Sequence, residues 1–83
     1  MKLPRDLSGD DLARRLGRYG YERTRQTGSH VRLTRKADDR EHHITIPLHD
    51  PLKAGTLSSI LNDVAGALAK TRETLMDDLF GCR

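Results

Sequence analysis

An α+β two-layer domain is predicted by three features of the 83-residue chain. A helical apolar period opens it, alternating apolar and polar positions fill its middle, and a second helical period follows. The alternating segments are separated by short turns, so they form an antiparallel sheet of three strands. Helices cover one face of that sheet and the other is open. The expected order is α-β-β-β-α plus an extra C-terminal helix, in one domain spanning 1–83.

The first helix is expected to start near Ser8, whose hydroxyl can accept a backbone N–H while Asp11 reaches back, as in a capping box. Leu12, Ala13, Leu16 and Tyr19 share one helical face, Arg14, Arg15 and Arg18 project from the other, and Gly20 is the natural stop. Tyr21 to Gln26 reads as a first strand. Thr27-Gly28-Ser29 is a turn in which Gly28 supplies a positive φ or room for backbone approach. His30 to Lys36 is a second strand, where Val31 and Leu33 alternate with Arg32 and Thr34. If the apolar pair faces the core, His30 and Arg32 share the open face. Asp38-Asp39-Arg40 closes a hairpin, and His43 to Leu48 is a third strand with Ile44, Ile46 and Leu48 inward. His43, Thr45, Pro47 and His49 then join the face of His30. Plain alternation would group Tyr21, Arg23 and Arg25, so the register of the first strand is open, and a bulge would separate them. After the loop 49–55, Thr56 is expected to cap a helix built on Leu57, Ile60, Leu61, Val64 and Leu68, which Gly66 ends or weakens. A last helix, Thr71 to Phe80, carries Leu75, Met76, Leu79 and Phe80 and stops at Gly81.

The formal charge is +3, with 15 Lys and Arg against 12 Asp and Glu. Its distribution says more: residues 14–36 hold eight basic groups and one acid, Glu22, whereas the segment from Asp63 onward is slightly acidic. Arginine outnumbers lysine 11 to 4, and its planar fork of donors fits phosphate oxygens. A clustered basic stretch is the footprint of a nucleic-acid partner, although a solvated surface shows the same pattern. The aromatics are Tyr19, Tyr21 and Phe80, of which at least two belong to the core pattern. Exposed stacking platforms are therefore not expected, and contact should run through sugar and phosphate, with Arg14, Arg18 and Arg25 among the cations.

No run of about 18 apolar residues predicts a membrane span, and the start Met1-Lys2-Leu3-Pro4-Arg5 lacks a signal-peptide core. The single Cys82 predicts no internal disulfide, which fits a reducing cytoplasm. His42 and His43 are strand neighbours pointing to opposite faces, so a joint metal site is not expected. Glu41, His43 and His49 lack a tight ligand spacing, and no cofactor is expected.

The assembled motifs resemble the HicA (YcfA-like) toxin family. The resemblance rests on Ser8-Gly9 before the first helix, Gly20-Tyr21 before the first strand and Gln26-x-Gly28-Ser29-His30 at the hairpin. It continues with Pro47-x-His49, then Lys53-x-Gly55-Thr56-x-x-x-Ile60-Leu61, and covers residues 8–68, leaving 69–83 as an added extension. Two departures stand out: the tail from Ala67 to Arg83 carries an additional acidic helix, and Val31 follows His30 where many members have a polar residue. The resemblance implies a fold like that of double-stranded-RNA-binding domains, ribonuclease activity on mRNA, and inhibition by a HicB antitoxin. It also implies that His30, in its Gly-Ser-His motif, is the catalytic residue.

That chemistry suits the residues. RNA carries its own nucleophile, and a base that removes the 2′-OH proton lets that oxygen attack phosphorus. An ordinary histidine titrates near ~6.5 and can do so at neutral pH, for a gain of roughly 10²–10⁴-fold. Arg32 is the first candidate for stabilising the developing charge. His49 is either a general acid or phosphate contact, or a loop residue bonding its own backbone. Lys53 either touches phosphate or is solvated. Ser29 lacks the base and orienting acid a nucleophile needs, so turn geometry is its expected role. The rival readings are an RNA-binding module that does not cut and a protein-interaction domain that docks through its last helix.

Overall fold

The computed structural model describes residues 6–81. Met1–Arg5, Cys82 and Arg83 lie outside the described residues, and with them the readings of the chain start and of the lone cysteine. The order is α1 (Gly9–Leu16), a 3₁₀ turn (Gly17–Tyr19), β1 (Glu22–Thr27), β2 (His30–Ala37), β3 (Arg40–Pro47), α2 (Ala54–Leu68) and α3 (Arg72–Phe80). The strands form one antiparallel sheet with β2 in the centre. The α+β class, the open three-stranded sheet and the third helix are as the sequence predicts.

The core lies between the sheet and the helices. Val31, Leu33, Ile44 and Ile46 from the inner sheet face join Leu12, Leu16, Leu57, Leu61 and Val64 from α1 and α2. Leu75, Met76 and Leu79 of α3 are buried in the same cluster, so the added helix is part of the core. Burying one such side chain contributes roughly 1.5–3 kcal/mol. Leu48, expected inward, is half-buried at the core margin, as are Tyr19 and Phe80, while Tyr21 is buried.

Local chemistry moves several boundaries. Ser8 caps α1, its Oγ accepting the Asp11 N–H at 3.0 Å. The α-helix ends at Leu16, tightens into the 3₁₀ turn and stops at Gly20, whose φ of 92° suits glycine. Thr56 does not cap α2. That helix begins at Ala54, because the Leu57 N–H already reaches the Lys53 carbonyl, and Lys53 occupies the cap position without a side-chain bond. Gly66 does not end it either. α2 runs to Leu68 and closes on Ala69 in the left-handed region, with the Lys70 N–H bonded to the Ala65 carbonyl, a Schellman-type ending. β3 starts at Arg40 rather than His43, because Asp38, at φ 55°, lets the loop close in two residues and pairing run to Ala37↔Arg40. β1 starts at Glu22 and extends to Thr27, which pairs with His30 across Gly28-Ser29.

Candidate active site

The β1–β2 turn fixes His30. Gly28 has φ 57° at the first central position of a two-residue loop, where type II′ hairpin turns take glycine. The Leu48 N–H donates to the Ser29 carbonyl at 2.6 Å, and the Gly9 N–H donates to the His49 carbonyl at 2.9 Å. Together these two bonds join the turn to the segment after β3, and that segment to the start of α1. Gly9 has no alternative there, since a Cβ would lie 2.0 Å from the Pro47 carbonyl oxygen. His30 and His49 are therefore exposed at one end of the molecule, held by backbone bonds among three elements.

The register then lays out the open face. His30 pairs with Thr27 and Pro47, and the next row is Arg25–Arg32–Thr45. The row beyond is Glu22–Thr34–His43. Rows are two residues apart, about 6.6 Å. A bulge at Thr24, where the pairing shifts between Arg23 and Arg25, decides which arginine faces which way. Arg25 pairs with Arg32 on the open face, whereas Arg23 pairs with Leu33 on the helix side and bonds Asp10 at 2.7 Å. That bond holds the Asp10 carboxyl below its ordinary range. The exposed side chains of Arg25 and Arg32 make no ion pair or hydrogen bond among the described residues.

Other predicted site residues lie elsewhere. Arg14 belongs to the helical layer and pairs with Asp10 and Asp11 on its own helix. Arg18 donates to the Asp78 carbonyl of α3, and the neighbouring Arg15 donates to the Leu79 carbonyl at 2.7 Å. Arg14 and Arg18 are therefore not brought to the face of His30. Lys53 is exposed just before α2, four residues beyond His49. His42 and His43 do point to opposite faces: Nδ1 of His42 meets the Tyr21 hydroxyl at 2.6 Å on the helix side, and Nδ1 of His43 meets the Thr34 hydroxyl at 2.9 Å on the open side. Among the described residues, no group of three or more His, Cys, Asp or Glu is placed to hold a metal ion.

Sequence reasoning gave no role to Glu22, Thr24 and Thr34. Thr34 is the buried polar residue of the sheet, its hydroxyl 2.9 Å from that of Thr24. For Glu22 and Thr24 the early signal was the ambiguous register of β1, and for Thr34 it was the alternation of β2. An exposed imidazole with two arginines in the adjacent row, and no tyrosine or phenylalanine on that face among the described residues, can bind a phosphodiester through charge and move a proton beside it.

Comparison with protein-family models matches residues 9–65 to the family described as the HicA toxin of bacterial toxin–antitoxin systems. No curated protein and no solved structure gives a significant match. No helix among the described residues is long and apolar enough to cross a membrane.

Proposed function

From a chain that belongs to the HicA toxin family, and so has a toxin's role opposite an antitoxin, we propose an endoribonuclease that cuts mRNA without a metal ion, with His30 as general base. The observation that carries this reading is the position of His30, exposed one row from the arginine pair Arg25 and Arg32. His30 removes the proton from a ribose 2′-OH. The 2′ oxygen bonds to the adjacent phosphorus, and the bond from phosphorus to the 5′ oxygen breaks. The products are a 2′,3′-cyclic phosphate and a 5′-hydroxyl, whose oxygen takes a proton from His49 or from water. Arg32, with Arg25 beside it, stabilises charge on the pentacoordinate phosphorus. Gly28 and Ser29 hold the turn, and Lys53 extends the cationic rim. Arg14 and Arg18, engaged within the helical layer, take no part in this contact.

Affinity in this reading is largely electrostatic, so binding weakens as salt rises. The HicB-type antitoxin would cover the open sheet and its arginines. Expression of the chain without a partner is expected to arrest growth, and His30→Ala is expected to relieve the arrest at equal protein level. An equally toxic variant would remove His30 from the mechanism. RNA that is bound but intact after long incubation with the purified protein would favour a binding module instead.

A further inference from the structure

Two rows from His30, the open face carries a groove of about 230 Å³ lined by Gly20, Glu22, Thr24, Thr34 and Lys36. Its walls have defined origins. Gly20 contributes no side chain, and its φ of 92° disfavours any other residue. The bulge turns Thr24 toward Thr34, closing the middle with two hydroxyls 2.9 Å apart. Glu22 stands in the Thr34 row and Lys36 in the row beyond it. Lys36 has only a long ion pair to Glu41, at 3.7 Å, and Glu22 has none among the described residues.

Glu41 on the same face is paired with Lys36 and His43, whereas the Glu22 carboxylate is unpaired among the described residues, which is anomalous on a surface that meets phosphates. It repels the backbone unless the ligand brings donors to it. A nucleobase does, and the groove's mixture of acceptor, hydroxyls and cation is the wrong composition for a phosphate. The Watson–Crick edge of guanine offers two adjacent N–H donors, from N1 and N2, beside the acceptor O6. A carboxylate can take both donors while an ammonium group donates to O6. Adenine and the pyrimidines lack that donor pair next to an acceptor. His43 adds a second feature: its ring nitrogens are engaged by Thr34 at 2.9 Å and by Glu41 at 3.4 Å, so a half-exposed ring stands oriented next to the groove. Imidazole faces can stack unpaired bases.

We infer that this groove is a base-recognition subsite that selects guanine in single-stranded RNA near the cut, with Glu22 reading N1–H and N2–H and Lys36 reading O6. The inference rests on the ribonuclease reading, yet its binding test needs no cleavage. Fluorescence anisotropy with His30→Ala protein compares short oligoribonucleotides that differ at one position: guanosine, inosine (which lacks the N2 amino group) and 7-deazaguanosine (which keeps the Watson–Crick edge). Guanosine and 7-deazaguanosine are expected to bind alike, and inosine about tenfold more weakly, within the range for one good bidentate base contact. Glu22→Gln is expected to abolish that difference. Equal binding of guanosine and inosine oligomers would overturn the subsite, and because that arm uses an unaltered groove, misfolding of a variant cannot explain it away. In the wild-type protein, a randomised RNA pool should be cut with guanine enriched at one fixed offset, and Glu22→Gln should lose the enrichment. Cleavage with no enriched base would sink the subsite alone. Guanine-selective binding without any cleavage would sink the ribonuclease reading alone.

Discussion

The two faces of this domain use the same residue type in opposite ways. On the helical face, Arg15 and Arg18 donate to carbonyls at the end of α3, Arg14 pairs with carboxylates one turn away, and Arg23 binds Asp10. On the sheet face, Arg25 and Arg32 are exposed and engage no side chain among the described residues. The run of basic residues that reads as one patch in the sequence is thus two populations. One holds the architecture, fastening α3 to α1; the other is available to a polyanion. A charge count cannot tell them apart. The bulge at Thr24 and the position of α3 do.

The comparison breaks most sharply at His30. Replacing it with Ala should lower the rate of RNA cleavage about 10²–10⁴-fold while leaving the thermal midpoint in place, because the side chain is exposed. Loss of stability without loss of cutting would assign His30 to the architecture. Gly9→Ala comes next. Its Cβ meets the Pro47 carbonyl, so unfolding in urea should become easier by about 1–3 kcal/mol, and cleavage should fall as the 47–49 segment shifts. Unchanged cleavage in that variant would mean that the join between α1 and His49 does not position the site.

The arginines then supply a double dissociation. Arg32→Ala should reduce the dependence of log binding constant on log salt by about 1, with no change in stability. Arg18→Ala should cost about 0.5–1 kcal/mol in denaturant unfolding and leave the salt dependence alone. Two arginines behaving alike would erase the distinction between the faces.

The smallest effect lies at high pH. The Tyr19 hydroxyl donates to the Asp78 carboxylate at 2.7 Å; burial first, and that carboxylate second, push it up to about 12. The folded state favours the protonated phenol. Its stabilisation is complete below the unfolded value near ~10 and fades as pH rises from there toward 12. Tyr19→Phe should flatten that part of the stability curve. Asp78 runs the other way: the same hydrogen bond holds its carboxyl low, so its share is present above the ordinary carboxylate range and disappears on acidification.

Much of the fold was legible because apolar spacing is a local property. The alternation of Val31 and Leu33, then Ile44 and Ile46, is enough to put His30, Arg32, His43 and Thr45 on one face, and the structure has them there. β1 carries no such signal, since all six of its residues are exposed, so its register is set by pairing with β2. Contacts between distant residues were equally hidden. Arg18 and Asp78 are 60 positions apart, and Gly9, at the start of α1, meets Pro47 at the end of β3. Ser8-Gly9 was visible as a motif, but its physical reason, a backbone crossing too close for a Cβ, is a tertiary fact. The failed expectation at Thr56 has the same root. The Leu52 N–H is bonded to the Leu7 carbonyl and its side chain is buried, which is consistent with the earlier start of α2.

The most direct measurement uses one RNA oligomer cut by the purified protein, made again with a single 2′-deoxy sugar at the cleaved nucleotide, and reads the ends of the products. If His30 works on a ribose hydroxyl, the all-ribose oligomer gives a 2′,3′-cyclic phosphate and a 5′-hydroxyl, and the deoxy-substituted one is not cut at that bond. Efficient cleavage of the substituted oligomer at the same bond, or products ending in 5′-phosphate and 3′-hydroxyl, would contradict it.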